Sequence, residues 1–348
     1  MARTAKNIWQ EAATFTTLAR AFQKVREGKR FDSDTMRFYA NLEDNLFALE
    51  AQLQARTWKP SPFREFIVHV PKLRRIQAPE FGDRVVHQAV MLCAAPVFER
   101  RFISDSYANR VGHGTHAASR RLREFLRAAS VKFEKPYLIK ADISKYFPNI
   151  SHDRLMERVR RLFADPGVIW FFDTLIRGSG YEERGLPIGS LTSQWLANLY
   201  LDSLDHYVKD ELGIKYYVRY MDDFVLVGPD KAWCKEKLAL LDEHVQGLGL
   251  ALNPKTGIRP VSQGVDFVGY RHWPSHTLPR KRTVKRFRKQ VKSLQRRYNE
   301  GKISFLDVNS RVQSFVGYMK HCNGFRSTAS ALDKLVLVGN GKQEKNED

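Results

Sequence analysis

Three aspartates at two points of the chain are the side chains best suited to catalysis. Asp142 ends the strand-like run YLIKAD, and Asp222 and Asp223 lie between the two β-rich arms of YYVRYMDDFVLV, which is typical of a hairpin. Each site alone is better explained by a turn residue or a helix cap than by catalysis. If the two β segments are neighbours in one sheet, however, the three carboxylates meet and require cations. Two Mg²⁺ ions about 4 Å apart would then support phosphoryl transfer.

The composition is that of a folded protein with a polyanionic partner. The 348 residues are 43% hydrophobic, which is near the globular average. Lysine and arginine total 58 against 38 acidic residues, a net charge of +20, so nucleic acid is the leading partner. The sequence has no apolar run of about 18 residues and no signal-peptide core at its start, which predicts a cytoplasmic protein without a membrane partner. Cys93, Cys234 and Cys322 lack metal or disulfide spacing and are predicted to be reduced.

The hydrophobic pattern predicts an α+β fold, with helices behind one antiparallel sheet. Residues 1–60 have helical leucine spacing, and residues 63–70 alternate as a strand before a basic, proline-interrupted loop at 71–84. A second loop, GLPIGSLTSQ at 185–194, precedes a helix, and residues 265–270 are predicted to form one strand. Helical spacing recurs in four further segments, at 85–102, 115–129, 195–208 and 238–248.

Residues 280–302 combine an apolar stripe with a dense basic surface. The segment contains eleven basic residues and one acidic residue, and its apolar residues recur at steps of three and four. The stripe is formed by Val284, Phe287, Val291, Leu294 and Tyr298. A solvated amphipathic helix would show the same pattern, but the density of charge favours contact with phosphates. The candidate phosphate contacts are Arg286, Arg288, Lys289 and Lys292.

Five segments resemble the motifs of reverse transcriptases, in the same order and at similar spacing. KADISKYFPNISHDRL is similar to the first catalytic motif, YVRYMDDFVLVG to the catalytic hairpin, and LNPKTG with VDFVGY to downstream motifs. PKLRRIQAPEFGDRVVHQAV resembles the fingers segment, and SYANRVGHGTHAA the template-proximal segment that follows it. The similarity runs from about Arg64 to Gly324. It implies a right-hand polymerase with an N-terminal helical extension (1–60), fingers (61–135), an antiparallel palm (136–275) and a helical thumb (276–348).

The resemblance also implies roles for individual residues. Asp142 and Asp222 would bind two Mg²⁺ ions, with Asp223 in support and the Ile143 carbonyl as a further ligand. Phe147 would select deoxynucleotides because its ring would collide with a 2′-hydroxyl, although a buried core Phe explains the residue equally well. The residues expected to hold the incoming dNTP are Lys72, Arg74, Phe147, Ile188, Gly189, Gln194 and Lys255. Gly189 is expected because the backbone must pass close to the substrate.

Contacts to the template RNA and the RNA–DNA hybrid are predicted for Tyr220, Met221 and His113, together with the basic helix. His113 and His116 could suggest a metal site, but no third ligand is found at a suitable spacing. The sequence also has no GxxxxGK[ST] phosphate loop, which argues against a helicase or ATPase. It contains no HNH-like or Cys/His-rich segment, so a linked endonuclease is not expected.

One departure from the family pattern narrows the resemblance. Most reverse transcriptases have Gln-Gly in the loop between the carboxylate motifs, followed by Ser-Pro, whereas this chain has Ile188-Gly189 and later Ser193-Gln194. The IGSLTSQ form is similar to that of the enzymes of diversity-generating retroelements. That resemblance implies error-prone copying of a template-repeat RNA, with errors mainly opposite adenine, and an oligomeric, small basic accessory variability protein as partner.

Two other classes remain open at this level. A retron, intron-derived or phage-defence reverse transcriptase would share the chemistry and differ in its template, although a retron ordinarily keeps Gln-Gly. A catalytically idle RNA-binding scaffold would keep the fold and lose carboxylates, and here all three are present. The template, the priming mode and the fidelity are not determined by the sequence.

Overall fold

A computed structural model describes residues 6–69, 73–333 and 335–338 of the chain. These residues form two compact units, each assembled from separated segments. Unit 1 comprises Met1–Val111, Ala141–Lys215 and Leu238–Thr256, and unit 2 comprises Gly112–Lys140, Tyr216–Lys237 and Gly257–Asp348. Lys72, predicted to bind the nucleotide, lies outside the described residues.

Helices make up most of the described chain. They are α1 (Ile8–Ala12), α2 (Phe15–Arg26), α3 (Ser33–Ala40), α4 (Leu42–Gln54), α5 (Phe81–Arg101), α6 (Thr115–Lys132), α7 (Tyr146–Asn149), α8 (His152–Leu162), α9 (Pro166–Arg177), α10 (Leu191–His206), α11 (Lys231–Gly247), α12 (Lys281–Asn299), α13 (Phe305–Met319) and α14 (Phe325–Leu332). A π-helical turn, Tyr207–Glu211, continues α10, and a 3₁₀ turn covers Val261–Gln263. The helices α1 to α4 agree with the helical leucine spacing of the N-terminal segment, which the structure describes from residue 6 onward.

The strands are short and belong to three sheets. They are β1 (Arg64–Val68), β2 (Arg74–Ala78), β3 (Tyr137–Asp142), β4 (Tyr217–Tyr220), β5 (Asp223–Gly228), β6 (Gly257–Pro260), β7 (Val265–Phe267), β8 (Tyr270–His272) and β9 (Thr277–Pro279). β1 and β2 form an antiparallel hairpin, β4-β5-β3-β6 is the order of the largest sheet, and β7-β8-β9 is an antiparallel meander. β3 and β5 are therefore neighbours, which is the condition that the sequence analysis set for the carboxylates.

Unit 1 is built around α5, which is buried along much of its length and packs against α1, α2 and α10. Its centre is aromatic. Phe98 contacts Phe163 and Phe172 edge-on, with ring centroids 5.3 and 6.0 Å apart, and all three rings are fully buried. Burying such side chains contributes about 1.5–3 kcal/mol each, so this cluster fixes the helices that carry the loops of unit 1.

Unit 2 places α6 against the largest sheet and packs α12, α13 and α14 together. In the sheet, Tyr217 of β4 pairs with Leu226 of β5, and Val218 pairs with Val225. In the helical part, the Phe287 and Phe315 rings stack with centroids 3.7 Å apart. The buried members of this helical cluster are Val284, Phe287, Val291, Phe315, Met319 and Ala331. Three residues of the apolar stripe predicted for α12 thus pack inward, and the other two, Leu294 and Tyr298, are half-buried.

Four predictions of local structure were wrong. The basic stretch after β1 is not all loop, because Arg74–Ala78 pairs with β1 from Arg64↔Ala78 to Val68↔Arg74. Residues 265–270 are not one strand, since Val268 and Gly269 have positive φ (40° and 96°) and turn the chain between β7 and β8. α10 begins at Leu191 rather than Trp195, so Gln194 is helical. Nor is there a single sheet. Pairing with another strand decides the structure of β2 and the division between β7 and β8, and the pattern within one segment does not record it.

Candidate active site

Asp142 of unit 1 is held by Asn253, in the turn that follows α11. The Asn253 backbone N–H donates to the Asp142 carbonyl (2.7 Å), and its side-chain amide donates to Asp142 Oδ2 (3.1 Å). Asn253 Oδ1 in turn accepts from the Lys255 N–H at 3.0 Å. Asn253 therefore fixes the rotamer of a half-buried carboxylate, and the tight turn of the NPK segment fixes Asn253.

Ile143 is bridged to Leu252 in an antiparallel pair. The flanking bonds, Asn253 N–H to the Asp142 carbonyl and Ser144 N–H to the Ala251 carbonyl (2.8 Å), make this a non-hydrogen-bonded pair. In such a pair the N–H and C=O of the bridged residue point away from the partner segment. The Ile143 carbonyl is thus directed away from residues 251–253, as a metal-ligating role would need.

The short helix α7 positions Phe147 five residues after Asp142. Lys145 precedes it with a positive φ of 44°, and the neighbouring Tyr146 hydroxyl donates to the Ala197 carbonyl of α10. The Leu186 N–H donates to the Phe147 carbonyl at 3.1 Å. Phe147 is half-buried, whereas Tyr146 is buried. The aromatic ring expected to contact the sugar is therefore partly accessible, and its neighbour anchors the helix.

The loop that departs from the family pattern packs on the β1–β2 hairpin. The Gln77 N–H donates to the Ile188 carbonyl at 2.8 Å, and Gly189 has φ +130°. A Cβ at Gly189 would lie 3.0 Å from both the Gln77 carbonyl oxygen and Ile76 Cγ2. Gly189 is required here because its backbone passes close to β2, a reason that comes from the protein itself.

The other residues predicted to hold the nucleotide are placed as follows. Arg74 begins β2 and is exposed, Lys255 is exposed in the turn after Asn253, and Gln194 is half-buried in the first turn of α10. Near Gly189, the Gln77 side chain donates to Glu65 Oε1 (3.0 Å) and accepts from the Tyr181 hydroxyl (2.9 Å). Gln77 is thus the central polar residue of the loop–hairpin contact.

In unit 2, the tip of the β4–β5 hairpin is a two-residue turn. Tyr220 pairs with Asp223, which leaves Met221 and Asp222 to reverse the chain. Met221 has φ +56°, a conformation that costs a side-chain-bearing residue about 1 kcal/mol or more. The Arg219 guanidinium, fully buried beneath the turn, donates to the Met221 carbonyl at 2.9 Å. A charged hydrogen bond therefore offsets the strain in the turn that presents Asp222.

Asp223 begins β5 and forms an ion pair with Lys140 of the adjacent strand β3. Both side chains are mostly buried, with 15% of Lys140 and 28% of Asp223 exposed. Lys140 Nζ also lies 5.1 Å from the Phe267 ring centroid. Removing either partner would leave a poorly solvated charge, so the pair supports the hairpin structurally. Beside it, burial raises the pKa of the half-buried Tyr220 hydroxyl.

The donors on Asp142 and Ile143 suit a hard divalent cation, because carboxylate and carbonyl oxygens are what Mg²⁺ prefers. Asp222 and Asp223 are donors of the same type. Asp223 is already neutralised by Lys140, which favours a supporting role over direct ligation. Over residues 6–69, 73–333 and 335–338, no three His, Cys, Asp or Glu side chains are grouped closely enough to form a complete metal site.

The basic residues of α12 lie on its exposed side. Arg286, Lys289 and Lys292 are exposed, and Arg288, also exposed, donates to Ser330 Oγ of α14 at 2.9 Å. His113 lies just before α6 and is half-buried.

All three cysteines are reduced, and Cys234 is fully buried. None of the described helices is long and apolar enough to cross a membrane.

Three residues of the site were missed by the sequence analysis. Asn253 and Lys140 lie inside the recognised motifs LNPKTG and KADISKYFPNISHDRL, so the motifs gave the location but not the contact. Arg219 lies in the hairpin motif, where a charged residue in a β-rich arm could have been recognised as a buried, partnered group. What identifies these three residues is the hydrogen bond or ion pair that each side chain makes, which the tertiary structure shows.

The fold and the carboxylate-bearing hairpin are those of a nucleotidyl-transferring polymerase domain. Residues 59–272 match the sequence profile of the reverse transcriptase (RNA-dependent DNA polymerase) family, which covers more than half of the chain. The chain belongs to the reverse transcriptase family. This confirms the predicted α+β polymerase fold and the enzyme class.

Proteins similar in sequence to this chain include proteins of bacteria and yeast. Protein YkfC of Escherichia coli is 27% identical over 280 residues, which span 67% of this chain and 72% of YkfC. The group II intron-encoded protein LtrA of Lactococcus lactis is 24% identical over 48% of this chain but only 28% of its own length, and a putative COX1/OXI3 intron 1 protein of Saccharomyces cerevisiae is matched over 20% of its length. Among solved structures, a telomerase from Candida albicans aligns at 13% identity over 82% of this chain and 56% of its own, with a TM-score of 0.47.

Proposed function

We propose that this chain copies an RNA template into cDNA by nucleotidyl transfer with two Mg²⁺ ions, with Asp142 and Asp222 as the metal ligands. The observation that carries the proposal is the turn at Met221–Asp222, which a buried Arg219 holds in a strained conformation. Strain maintained at a hairpin tip by a buried charge is typical of functional sites. Family membership supports the same chemistry.

In the proposed reaction the primer 3′-hydroxyl forms a bond to the α-phosphorus of a dNTP, its proton passes to water, and the bond to the β-phosphate oxygen breaks to release pyrophosphate. Bound Mg²⁺ would lower the pKa of the hydroxyl and stabilise the leaving oxygen. Asn253 keeps the Asp142 carboxylate in one orientation, and Lys140 limits the charge of Asp223. Phe147 would exclude ribonucleotides by contact with a 2′-hydroxyl.

The test of the chemistry is Asp222→Asn, which keeps the size of the side chain and removes its charge. We expect primer extension on an RNA template with Mg²⁺ to be lost while RNA affinity stays within about twofold, because the basic surface is untouched. Asp210→Asn, an exposed aspartate in the π-helical turn of unit 1, is the matched control and should extend normally. Substantial synthesis by Asp222→Asn would exclude the two-metal assignment.

We further infer that synthesis is error-prone, as in a diversity-generating retroelement with a template-repeat RNA and an oligomeric, small basic accessory protein. Ile188 supports this, because an apolar side chain beside the nucleotide offers no directional hydrogen bond where the family pattern has Gln. Its carbonyl accepts from the Gln77 N–H, which holds the residue against β2, and its side chain carries no hydrogen-bonding group. A loosely held nucleotide would tolerate mispairs.

An intron-associated enzyme of ordinary fidelity is the second candidate, favoured by the similarity to the group II intron-encoded protein LtrA. Fidelity separates the two. Ile188→Gln should lower misincorporation about 5- to 30-fold, mainly opposite template adenine, if the restored hydrogen bond is worth about 1–2 kcal/mol. Ile188→Leu, which stays apolar, is the control and should leave the error spectrum unchanged. Sequencing of cDNA from a template with all four bases measures both.

The wild-type spectrum decides the finer assignment. If the wild type copies adenine as faithfully as the other bases, the retroelement proposal fails and the intron-associated candidate stands. If errors concentrate at adenine and are unchanged by Ile188→Gln, the assignment stands but the structural reason is wrong.

A further inference from the structure

Unit 2 contains a cavity of about 320 Å³ whose walls are basic and polar. This is about ten times the ~30 Å³ that a water molecule takes in the liquid. The residues that give it charge come from α6 and from the end of α13, and they are His116, Arg120, Arg123, Lys320 and His321. No acidic side chain is among its lining residues in the described part of unit 2. The cavity therefore has a local excess of positive charge.

Three cations of the cavity, Arg120, Arg123 and Lys320, form no ion pair with any carboxylate of the described residues. Arg121, on the same helix, pairs with Glu124 at 3.2 Å. Like charges brought together at one site destabilise the folded protein unless an anion compensates them, so their arrangement favours a ligand.

The walls of the cavity are held in place by hydrogen bonds to the β7–β9 sheet. Ser119 Oγ contacts Nε2 of the buried His272 at 2.8 Å, which ties α6 to β8. The Asn323 N–H donates to the Thr277 carbonyl (2.7 Å), and the Thr277 N–H donates to Asn323 Oδ1 (3.1 Å), which ties the end of α13 to β9. The cavity is thus preorganised, and binding would require little ordering.

Two histidines, one from each wall, lie against each other in the cavity lining. The rings of His116 and His321 stack with centroids 3.5 Å apart and planes 18° apart. His116 lies in the first turn of α6, where unpaired backbone N–H groups and the positive end of the helix favour an anion. Imidazole N–H groups and guanidinium forks together supply donors in several directions, which suits a tetrahedral anion better than a planar carboxylate.

We propose that this cavity is a phosphate-binding site that holds a backbone phosphate of the nucleic acid carried by unit 2. The proposal rests on the proposed function in one respect, because a polymerase supplies the RNA–DNA hybrid whose phosphates would enter. A second source of the same chemistry is a free phosphate species such as pyrophosphate. The experiment therefore tests both sources of phosphate, the RNA–DNA hybrid and free pyrophosphate.

The test uses the full chain and variants that lose equal charge. Arg120→Gln with Arg123→Gln removes two cavity cations, while Arg127→Gln with Lys132→Gln removes two exposed cations from the same helix outside the cavity. Affinity for a short RNA–DNA hybrid is measured between about 50 and 200 mM salt. Because the cavity would hold one phosphate, the cavity variant should lower the slope of log affinity against log salt by about 0.7–0.9, and the control should leave it nearly unchanged.

Lys320→Gln is a second cavity variant, included in case the double variant misfolds. Lys320 is exposed, so its replacement leaves no gap in the core. This variant should lower the slope in the same direction, by at most the roughly 0.7–0.9 of one phosphate contact. Inorganic pyrophosphate, titrated by calorimetry into the wild type and the cavity variant, tests the free source. Loss of pyrophosphate binding in the cavity variant, with an unchanged hybrid slope, would keep the phosphate site and assign it to a free phosphate.

Equal slopes for the cavity and control variants, with no pyrophosphate binding by the wild type, would overturn the proposal. These measurements involve no synthesis. A wild type that shows the cavity-dependent slope but extends no primer would refute the proposed function and leave the phosphate site standing.

Discussion

Gly189 offers the sharpest test of how the IGSLTSQ loop is held. Adding a methyl group by Gly189→Ala places a Cβ 3.0 Å from the Gln77 carbonyl oxygen and 3.0 Å from Ile76 Cγ2, at a φ of +130° that side-chain-bearing residues rarely adopt. Contacts this short force one segment to move, and the backbone conformation alone costs about 1–3 kcal/mol. We therefore expect the loop to separate from β2 at a cost of about 2–3 kcal/mol.

The bond from the Gln77 N–H to the Ile188 carbonyl reports this separation directly. Hydrogen exchange of the Gln77 amide should accelerate about 30- to 150-fold in Gly189→Ala, since each 1.36 kcal/mol is a factor of ten in the opening equilibrium. Gly180→Ala is the control, because Gly180 also has a positive φ (+79°) but its Cβ would meet nothing within 4 Å. It should leave Gln77 protection unchanged.

Unchanged exchange at Gln77 in Gly189→Ala would refute the argument that close approach to β2 requires glycine. Faster exchange in both variants would show that the effect is general loss of stability. If exchange accelerates only in Gly189→Ala while the apparent affinity for dNTP is unaltered, the packing argument holds and the predicted role of this loop in the nucleotide pocket fails.

Three further predictions concern other parts of the chain. Asn253→Ala removes a hydrogen bond of about 1.5–3 kcal/mol to the Asp142 carboxylate, so single-turnover extension should slow about 10- to 100-fold and need more Mg²⁺, and an unchanged rate would exclude the positioning role. Hydrogen bonding, first to Asp202 and then to Asp210, raises the pKa of His206 to about 9; this stabilisation is complete below about pH 6.5 and is lost as the pH rises through 9. In the wild type the free energy of unfolding should fall by at most about 3 kcal/mol between pH 6 and 9.5, measured by denaturation at each pH. His206→Gln should abolish this fall. Neutralising the exposed basic face of α12 should reduce the salt slope of RNA binding by about 0.7–0.9 per phosphate contact, and an unchanged slope would identify this face as merely solvated; the residues are Arg286, Arg288, Lys289 and Lys292.

The sequence by itself determined the elements whose signal is local. The hairpin at YYVRYMDDFVLV, the strand that ends at Asp142 and the amphipathic helix after residue 280 were all predictable, because side-chain period and turn chemistry act over a few residues. The motif order identified the family, since its five segments carry chemistry at fixed positions.

Only the tertiary structure decided how those elements are held. Arg74–Ala78 is a strand because it pairs with β1, and the basic, proline-flanked sequence gave no such sign. Gly189 is required by β2, more than a hundred positions away in sequence. Lys140 and Asn253 act through partners in other segments, Arg219 acts on the Met221 carbonyl of its own turn, and a buried charge is recognisable only when its partner is seen. Long-range pairing provides partners for backbone hydrogen-bonding groups and for buried charges. The residue types and spacing within one segment do not specify which distant segment provides those partners.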